Sequence, residues 1–460
     1  VGLGYLTLDR QVITLSGGEL QRLRLAATLD SDLSGIIYIL DEPTAGLHPK
    51  DTAGMMAVLK NLRDLGNTVL IIEHDVDVMA SADYIIDMGP GAGIHGGEVI
   101  AAGTLKEIME QPHSVTGSYL AAPHPGRTTF RSPKGTISVS NAEKYNLQHI
   151  SVDIPTECLV SVTGPSGSGK STLIFEVLAK GNQSTEQNRV SGLERFDRIV
   201  EIGQSSVTRM KRSNVATFSG VYSEIRSVFA RTDGAASAGL TARHFSFNTS
   251  GGRCENCEGL GYVDNSMLFF ATVVCPVCGG NRFRPEVLAV TYKGLSVKDV
   301  LDLSVTEALS VFCDCPKITG ILELLQEVGL GYLQLGQSLT TLSGGEGQRL
   351  KLARELTECR LNGRNLYLLD EPTTGLHPRD IEHFLILLDR LADAGNTVVV
   401  VEHNQQLIEN SDWVIDLGPD GGDSGGRVMF EGTPEEMRLR GKSITAKYLH
   451  RDLPLHNGHW

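Results

Sequence analysis

An α/β protein with two related lobes is what three features of this 460-residue sequence predict: a long internal repeat, short apolar strands alternating with helices, and one glycine-rich loop between a strand and a helix. The repeat decides the architecture. Leu15-Ser16-Gly17-Gly18-Glu19 recurs as Leu342-Ser343-Gly344-Gly345-Glu346, and Asp41-Glu42-Pro43-Thr44 recurs as Asp370-Glu371-Pro372-Thr373. The first pair lies 327 residues apart and the second 329, so two residues are added between the blocks. The offset of 329 also carries Asn67-Thr68-Val69 onto Asn396-Thr397-Val398, Glu73-His74 onto Glu402-His403, and Asp87-Met88-Gly89-Pro90 onto Asp416-Leu417-Gly418-Pro419. The glycine-rich block Gly164 to Thr172 has no copy, because its counterpart falls upstream of residue 1. The expectation is a fragment, or a short protein that takes the missing half-site from elsewhere.

Short apolar, β-branched runs at Ile36 to Leu40, Val69 to Ile72, Cys158 to Gly164, Asn365 to Leu369 and Val398 to Val401 read as buried parallel strands. Gly18 to Leu29, Ser171 to Lys180, Gly345 to Leu356 and Ile381 to Ala392 read as helices. Proline, glycine and basic residues from Ala122 to Gly135 mark a linker.

Composition narrows the class. No apolar run approaches the ~20 residues of a membrane helix, and there is no basic-then-apolar leader, so a cytoplasmic protein with no membrane association is expected. The net charge of −14 excludes a protein that coats nucleic acid through overall charge. One basic island stands out: between Arg195 and Arg253 nine Lys/Arg face four Asp/Glu. From charge alone it is equally a solvated face or a nucleic-acid contact.

Gly164-x4-Gly169-Lys170-Ser171, between a strand and a helix, has the form of a phosphate-binding loop. Its glycines, Gly164, Gly167 and Gly169, let backbone N–H groups converge on phosphates, Lys170 reaches the β- and γ-phosphates, and Ser171, followed by Thr172, faces Mg²⁺. ATP and Mg²⁺ are the implied ligands. Asp370 ends the apolar strand Leu366 to Leu369, where a carboxylate reaches the same Mg²⁺, and Glu371 is placed to orient or deprotonate a water.

Cys254-x2-Cys257-x17-Cys275-x2-Cys278 has the spacing of a four-thiolate Zn²⁺ site, with Gly259, Gly261, Gly279 and Gly280 suited to the turns. Four sulfurs leave no open position, so the role expected is structural; two redox C-x-x-C pairs are the alternative. Cys158, Cys313, Cys315 and Cys359 read as ordinary reduced thiols.

The Leu-Ser-Gly-Gly-Glu blocks resemble the signature of ABC ATPases. In that family ATP is clamped between the P-loop of one lobe and the signature of the other. The resemblance implies that Ser16, Gly17 and Gly18 complete the site built by Lys170, Ser171, Asp370 and Glu371, that His403 is the γ-phosphate switch histidine, and that Gln204 is the Q-loop glutamine. It also implies a second half-site of Asp41, Glu42 and His74 opposed by Ser343, Gly344 and Gly345, without its P-loop.

A zinc module between P-loop and signature, with Arg212-Ser213-Asn214-Val215-Ala216-Thr217, Phe245-Ser246-Phe247-Asn248, Gly251-Gly252-Arg253-Cys254, Val328 to Tyr332 and Thr373-Thr374-Gly375-Leu376-His377, is similar to the UvrA family over roughly residues 1 to 450. That likeness implies a homodimer that binds damaged double-stranded DNA and loads the partner UvrB for nucleotide excision repair. The family's UvrB-docking domain lies between the first P-loop and signature. The basic island then becomes a DNA-contact surface, with Arg209, Lys211, Arg212, Arg243 and Arg253 as its contacts. A UvrA-like self-resistance protein against DNA-binding drugs is the alternative function; a transporter ATPase fits less well, because of the zinc insert and the fused lobes. The implied domains are 1–121 (later part of a first lobe), 122–135 (linker), 136–203 (start of a second lobe), 204–340 (signature and zinc insert), 341–450 (rest of the second lobe) and 451–460 (tail).

Overall fold

Leu159 to Thr163, the strand that leads into the glycine loop, is buried along its whole length and lies inside a six-stranded sheet in the computed structural model. The structure describes residues 34–91, 96–122, 126–181, 189–203, 212–265, 271–358 and 363–449, together with residues 3, 4, 6, 8, 9, 11, 12, 20, 22, 23, 26 and 27. The chain divides into one unit of residues 1–204 and 361–460 and a second of residues 205–360.

The first unit opens with β1 (Ile37–Asp41), α1 (Pro49–Asp64), β2 (Thr68–Ile72), β3 (Ile85–Gly89), β4 (Glu98–Gly103) and α2 (Val115–Ala121). It continues with β5 (Thr136–Ala142), β6 (Ile150–Pro155), β7 (Leu159–Thr163), β8 (Arg189–Ser191) and β9 (Arg198–Ile202). The second unit holds α3 (Val221–Ala230), the hairpin β10 (Tyr262–Asn265) and β11 (Ala271–Val274), the short pair β12 (Thr291–Tyr292) and β13 (Leu295–Ser296), α4 (Pro316–Glu327) and α5 (Gly344–Glu358). The chain then returns to the first unit through β14 (Asn365–Asp370), α6 (Pro378–Asp393), β15 (Thr397–Val401), β16 (Trp413–Gly418), β17 (Arg427–Gly432) and α7 (Ile444–Leu449).

The six strands run in the order β17-β16-β7-β15-β14-β9. Every pairing is parallel except β16 with β17. Parallel strands covered on both faces read as continuous apolar runs, and β14 and β15 obey that rule: Leu366 to Leu369 and Val398 to Val401 are all fully buried. Leu366 and Leu368 share a core with Leu173, Ile174 and Val177 of the helix after the glycine loop, while α6 packs on β15. That loop helix, expected over Ser171 to Lys180, runs Thr172–Leu178 and is wound wider than an α-helix, with the Ala179 N–H donating to the Ile174 C=O at 2.9 Å. Such wide turns recur at functional sites.

The offset of 329 maps β1 to β4 onto β14 to β17. β1 and β2 pair in parallel and β3 and β4 antiparallel, as their counterparts do. Tyr38, Leu40, Val69 and Ile71 pack on Met55, Met56, Leu59 and Leu62 of α1. Ile37, Ile39, Leu70 and Ile72, on the alternate positions, are exposed. In the second repeat β7 stands between β15 and β16; among the described residues no strand joins β2 to β3.

The proline-rich, basic segment is held by charge. Buried Asp412 accepts from Arg127 Nη1 at 2.8 Å, from Arg131 Nη1 at 2.9 Å, and from the backbone N–H groups of Arg131 and Leu159 at 3.0 and 2.8 Å. In the second unit α4 packs against α3 and α5, and the rings of Phe229, Phe245, Phe283 and Phe312 are buried. Among the described residues no helix is long and apolar enough to cross a membrane.

Candidate nucleotide site and cysteine cluster

The loop after β7 is shaped by glycines that no other residue replaces. Gly164 has φ 129°, and a Cβ there would fall 2.0 Å from the Leu417 carbonyl oxygen of β16. Gly167 and Gly169 also have positive φ. Inside the turn Lys170 is buried, its Nζ donating to the Gly164 and Pro165 carbonyls at 3.0 Å each. The Ser166 and Ser168 hydroxyls are buried without a protein partner. A phosphate chain fits this set: a buried cation, unpartnered hydroxyls and backbone turned inward at the head of a helix.

Across the loop, Ser171 Oγ lies 3.4 Å from Asp370 Oδ1 at the end of β14. A hydroxyl and a carboxylate side by side are the two protein ligands a nucleotide-bound Mg²⁺ takes in P-loop proteins. Glu371 follows with φ 48°, and its repeat counterpart Glu42 has φ 44°. Left-handed backbone at a glutamate is strained, and such strain collects where a side chain must be aimed. His403 Nε2 stands 3.9 Å from Glu371 Oε1. The His403 backbone N–H donates to Glu402 Oε2 at 2.8 Å, and the Thr373 N–H donates to Glu402 Oε1 at 3.0 Å. Glu402 therefore ties the strand end that carries Glu371 to the histidine.

Burial sets the charge states. It pushes the Glu371 carboxyl up to about 7, helped by Asp370 and Glu402 and opposed by Lys170. Asp370 rises to about 6 for the same first reason, against the pull of Lys170. Lys170 falls to about 8 through burial, with Glu371 and Asp370 holding it up. His403 drops well below the usual histidine range, by burial and then by the Lys170 charge, and is neutral at pH 7.

Of the first signature, Ser16, Gly17 and Gly18 lie outside the described residues, as does Gln204. Arg22, in the same stretch of sequence, is buried, and its charge acts on both Glu371 and His403. Asp41, Glu42 and His74 repeat the second-lobe arrangement in the first: the Thr44 N–H donates to Glu73 Oε1 at 2.9 Å and the His74 N–H to Glu73 Oε2 at 3.0 Å. In the second unit Ser343 opens α5 through reciprocal bonds: its N–H donates to Glu346 Oε2 at 2.7 Å, and the Glu346 N–H donates to Ser343 Oγ at 3.2 Å. That pairing explains the Ser-Gly-Gly-Glu spacing and leaves Ser343 and Gly344 exposed at the helix start, with Gly345 buried.

The four C-x-x-C sulfurs of the second unit come together, each ligand atom within 4.8 Å of the others. Cys254 and Cys275 Sγ are 3.9 Å apart and Cys257 and Cys278 Sγ 3.7 Å, close to the edge of about 3.8 Å that a tetrahedron with 2.3 Å Zn–S bonds requires. These are free thiols, not disulfides. The Gly261 N–H donates to Cys257 Sγ at 3.3 Å and Asn256 Nδ2 to Cys275 Sγ at 3.2 Å, the kind of outer support that favours thiolates. The donor set fits Zn²⁺. Cys158, Cys313 and Cys315 stand outside the cluster, and Cys359 lies outside the described residues.

UvrABC system protein A of Aquifex aeolicus is 49% identical over 467 residues, covering 98% of this chain and 50% of the relative. That of Bacillus subtilis is 50% identical over 463 residues, covering 98% and 48%. The crystal structure of UvrA2 from Deinococcus radiodurans matches with a TM-score of 0.90 and 47% identity, over 98% of this chain and 56% of that one. The chain belongs to the UvrA family of ABC ATPases. No family model matches. The chain spans about half the length of the curated relatives it matches.

Among the UvrA-type DNA-contact candidates, Arg209 and Lys211 lie outside the described residues. Arg243 is exposed. Arg212 pairs with Glu258, and Arg253 with Glu255 at 3.1 Å, so both sit beside the cysteine turns but already engaged. The UvrA-family motifs did not single out Glu402, His48, His377, Thr116 or Thr445 as site residues. The signal that finds them is the repeat: 48 maps onto 377, 116 onto 445 and 73 onto 402 with the residue type unchanged.

Proposed function

We propose that this chain is the ATP-hydrolysing, lesion-sensing part of a nucleotide excision repair protein, one that binds damaged double-stranded DNA. The observation that carries the reading is the convergence of Lys170, Ser171, Asp370, Glu371 and His403 in a chain whose second unit holds a four-thiolate cluster. The names of its relatives place them in the UvrABC system.

ATP with Mg²⁺ supplies the phosphoanhydride and the counter-ion that neutralises it. Lys170 and the loop N–H groups hold the β- and γ-phosphates, while Ser171 and Asp370 hold the metal. Glu371, whose raised affinity for protons suits a base working near neutral pH, accepts a proton from the attacking water. Neutral His403 offers a ring N–H toward the γ-phosphate, Gln204 senses water and metal, and Ser16, Gly17 and Gly18 close the site from the first repeat. Zn²⁺ on Cys254, Cys257, Cys275 and Cys278 would fix the two turns beside which Arg212 and Arg253 sit, and phosphates would take these two from Glu258 and Glu255 and add exposed Arg243. Backbone contacts of this kind position a duplex without reading its sequence, and a lesion is then felt through the deformability of the duplex. The working form is a homodimer in the cytoplasm; the hand-over of damaged DNA to a UvrB-like partner belongs to the full-length family, whose docking domain lies between the first P-loop and signature.

The test pairs turnover with binding. Lys170→Ala is expected to lower ATP hydrolysis at least about 100-fold while the fold is kept. A duplex carrying a bulky adduct is expected to bind more tightly than its unmodified twin and to change the turnover rate. Turnover unmoved by Lys170→Ala, or equal affinity for both duplexes, overturns the reading.

A further inference from the structure

The offset of 329 carries more than the nucleotide motifs. His48 maps onto His377, and Asp87 and Thr116 map onto Asp416 and Thr445. In the fold each histidine reaches for the other repeat. His48 Nε2 is 3.0 Å from Thr445 Oγ1, and Thr445 Oγ1 donates to Asp416 Oδ1 at 3.0 Å. His377 Nε2 is 3.2 Å from Thr116 Oγ1, and Thr116 Oγ1 donates to Asp87 Oδ1 at 2.8 Å. Two three-residue chains thus cross the repeats in opposite directions.

The protons have one arrangement. The Lys50 N–H donates to His48 Nδ1 at 3.1 Å, and the Arg379 N–H donates to His377 Nδ1 at 3.2 Å. A neutral ring that accepts at Nδ1 carries its proton at Nε2, so the histidine donates to the threonine and the threonine to the aspartate. The tautomer is assigned from this network. Each hydroxyl accepts one bond and donates one, so neither threonine can turn without breaking both.

Both ends of the first chain lie beside the nucleotide site. Asp416 lies on β16, the neighbour of the glycine-loop strand β7, and its charge acts on Lys170. The His48 ring stands edge-on to His403, centroids 5.9 Å apart, and His377 stands edge-on to His74 at 6.2 Å. Two residues before His48, a Cβ on Gly46 would fall 2.5 Å from Glu371 Oε2.

We propose that His48–Thr445–Asp416 and His377–Thr116–Asp87 are reciprocal positioning relays, each holding the strand-end glutamate and switch histidine of one repeat in register with the turn of the other. Turnover at one site then depends on the integrity of the opposite repeat. This rests on the roles given above to Glu371 and His403.

The test uses the full chain and steady-state ATP hydrolysis. Thr445→Val keeps the shape and removes both hydrogen bonds. Thr445→Ser keeps them. His48→Asn keeps an N-cap acceptor for the Lys50 N–H but is too short to reach Thr445. Thr445→Val and His48→Asn are each expected to lower kcat about ten-fold with KM for ATP within about two-fold, the double variant no lower than the worse single one. Thr445→Ser is expected to restore kcat to within about two-fold of wild type. A Thr445→Val enzyme as fast as wild type, a Thr445→Ser enzyme as slow as Thr445→Val, or multiplying losses in the double variant overturns the relay. Failure of the ATPase reading shows differently, as a wild-type rate that Lys170→Ala leaves unchanged. In that case the unfolding equilibria of the same four proteins decide: a coupling of about five-fold or more between His48 and Thr445 upholds the relay, and independent effects overturn it.

Discussion

Glu371→Gln should make the protein slower and more stable at once, and the size of the second effect follows from burial. The folded carboxyl is pushed from an ordinary value of 4.5 to about 7, first by burial and then by Asp370 and Glu402. At about 1.4 kcal/mol per pH unit, that displacement corresponds to roughly 3 kcal/mol. Between pH 4.5 and 7 the folded chain binds a proton that the unfolded chain does not, so wild-type stability falls as pH rises through this window and stays reduced above it. Glutamine keeps the shape without the charge. Its advantage over wild type should be near zero at pH 4.5, grow through pH 6 and level off above pH 7 at roughly 3 kcal/mol, reduced where Asp370 relaxes in response. Urea unfolding of both proteins at four pH values measures the curve, and a rate assay on the same samples should show most hydrolysis gone. A stability gain equal at pH 4.5 and 8, or none at any pH, would mean that the carboxyl is solvated and that the site is not the closed one described.

Three further outcomes follow from the same geometry. About one Zn²⁺ per chain is expected by elemental analysis, with Cys254→Ser losing both the metal and duplex binding; a metal-free chain that binds DNA normally refutes the structural role given to the cluster. Asp412→Ala removes the buried acceptor of the Arg131 and Leu159 N–H groups, while Asp389 and Asp393 still pair the two guanidinium groups, so it should cost about 1–3 kcal/mol in denaturant unfolding, and an unchanged stability would show the cluster to be solvated. The repeat offers an internal control: Leu368→Ala, at a fully buried site, should cost about 2–5 kcal/mol, while Ile39→Ala, at the matching position but 67% exposed, should cost under about 1 kcal/mol; equal costs would mean that the outer face of β1 is covered in solution.

Much of the site was legible because its chemistry depends on local spacing. The glycine loop, the strand-end Asp370 and Glu371 and the paired C-x-x-C turns each lie within a few residues of one another, and a strand before a loop or a turn after a cysteine is enough to predict what they face. Thr445 and His48 were not legible as partners, since they are 397 residues apart and their pairing depends on how two repeats oppose each other. Single motifs carry no such information. The repeat itself does, because a residue type kept at the same offset in both copies is under the same geometric demand twice.

The strands illustrate how far that argument reaches. Ile37-Tyr38-Ile39-Leu40 and Leu366-Tyr367-Leu368-Leu369 have the same apolar, two-faced pattern, which a parallel strand carries when both of its faces are covered. The second run meets that expectation, sealed by the glycine-loop helix through Leu173, Ile174 and Val177. The first packs on one face against Met55, Met56, Leu59 and Leu62 of α1 together with Leu47 and Val78, with Ile37 and Ile39 on the other face exposed to 66% and 67%. Apolar exposure of this kind is costly at about 25 cal/mol per Å², and a sequence shaped for a merely half-buried strand would alternate polar residues there. The pattern in β1 and β2 is therefore that of strands with two apolar faces, of which the packing around α1 covers one.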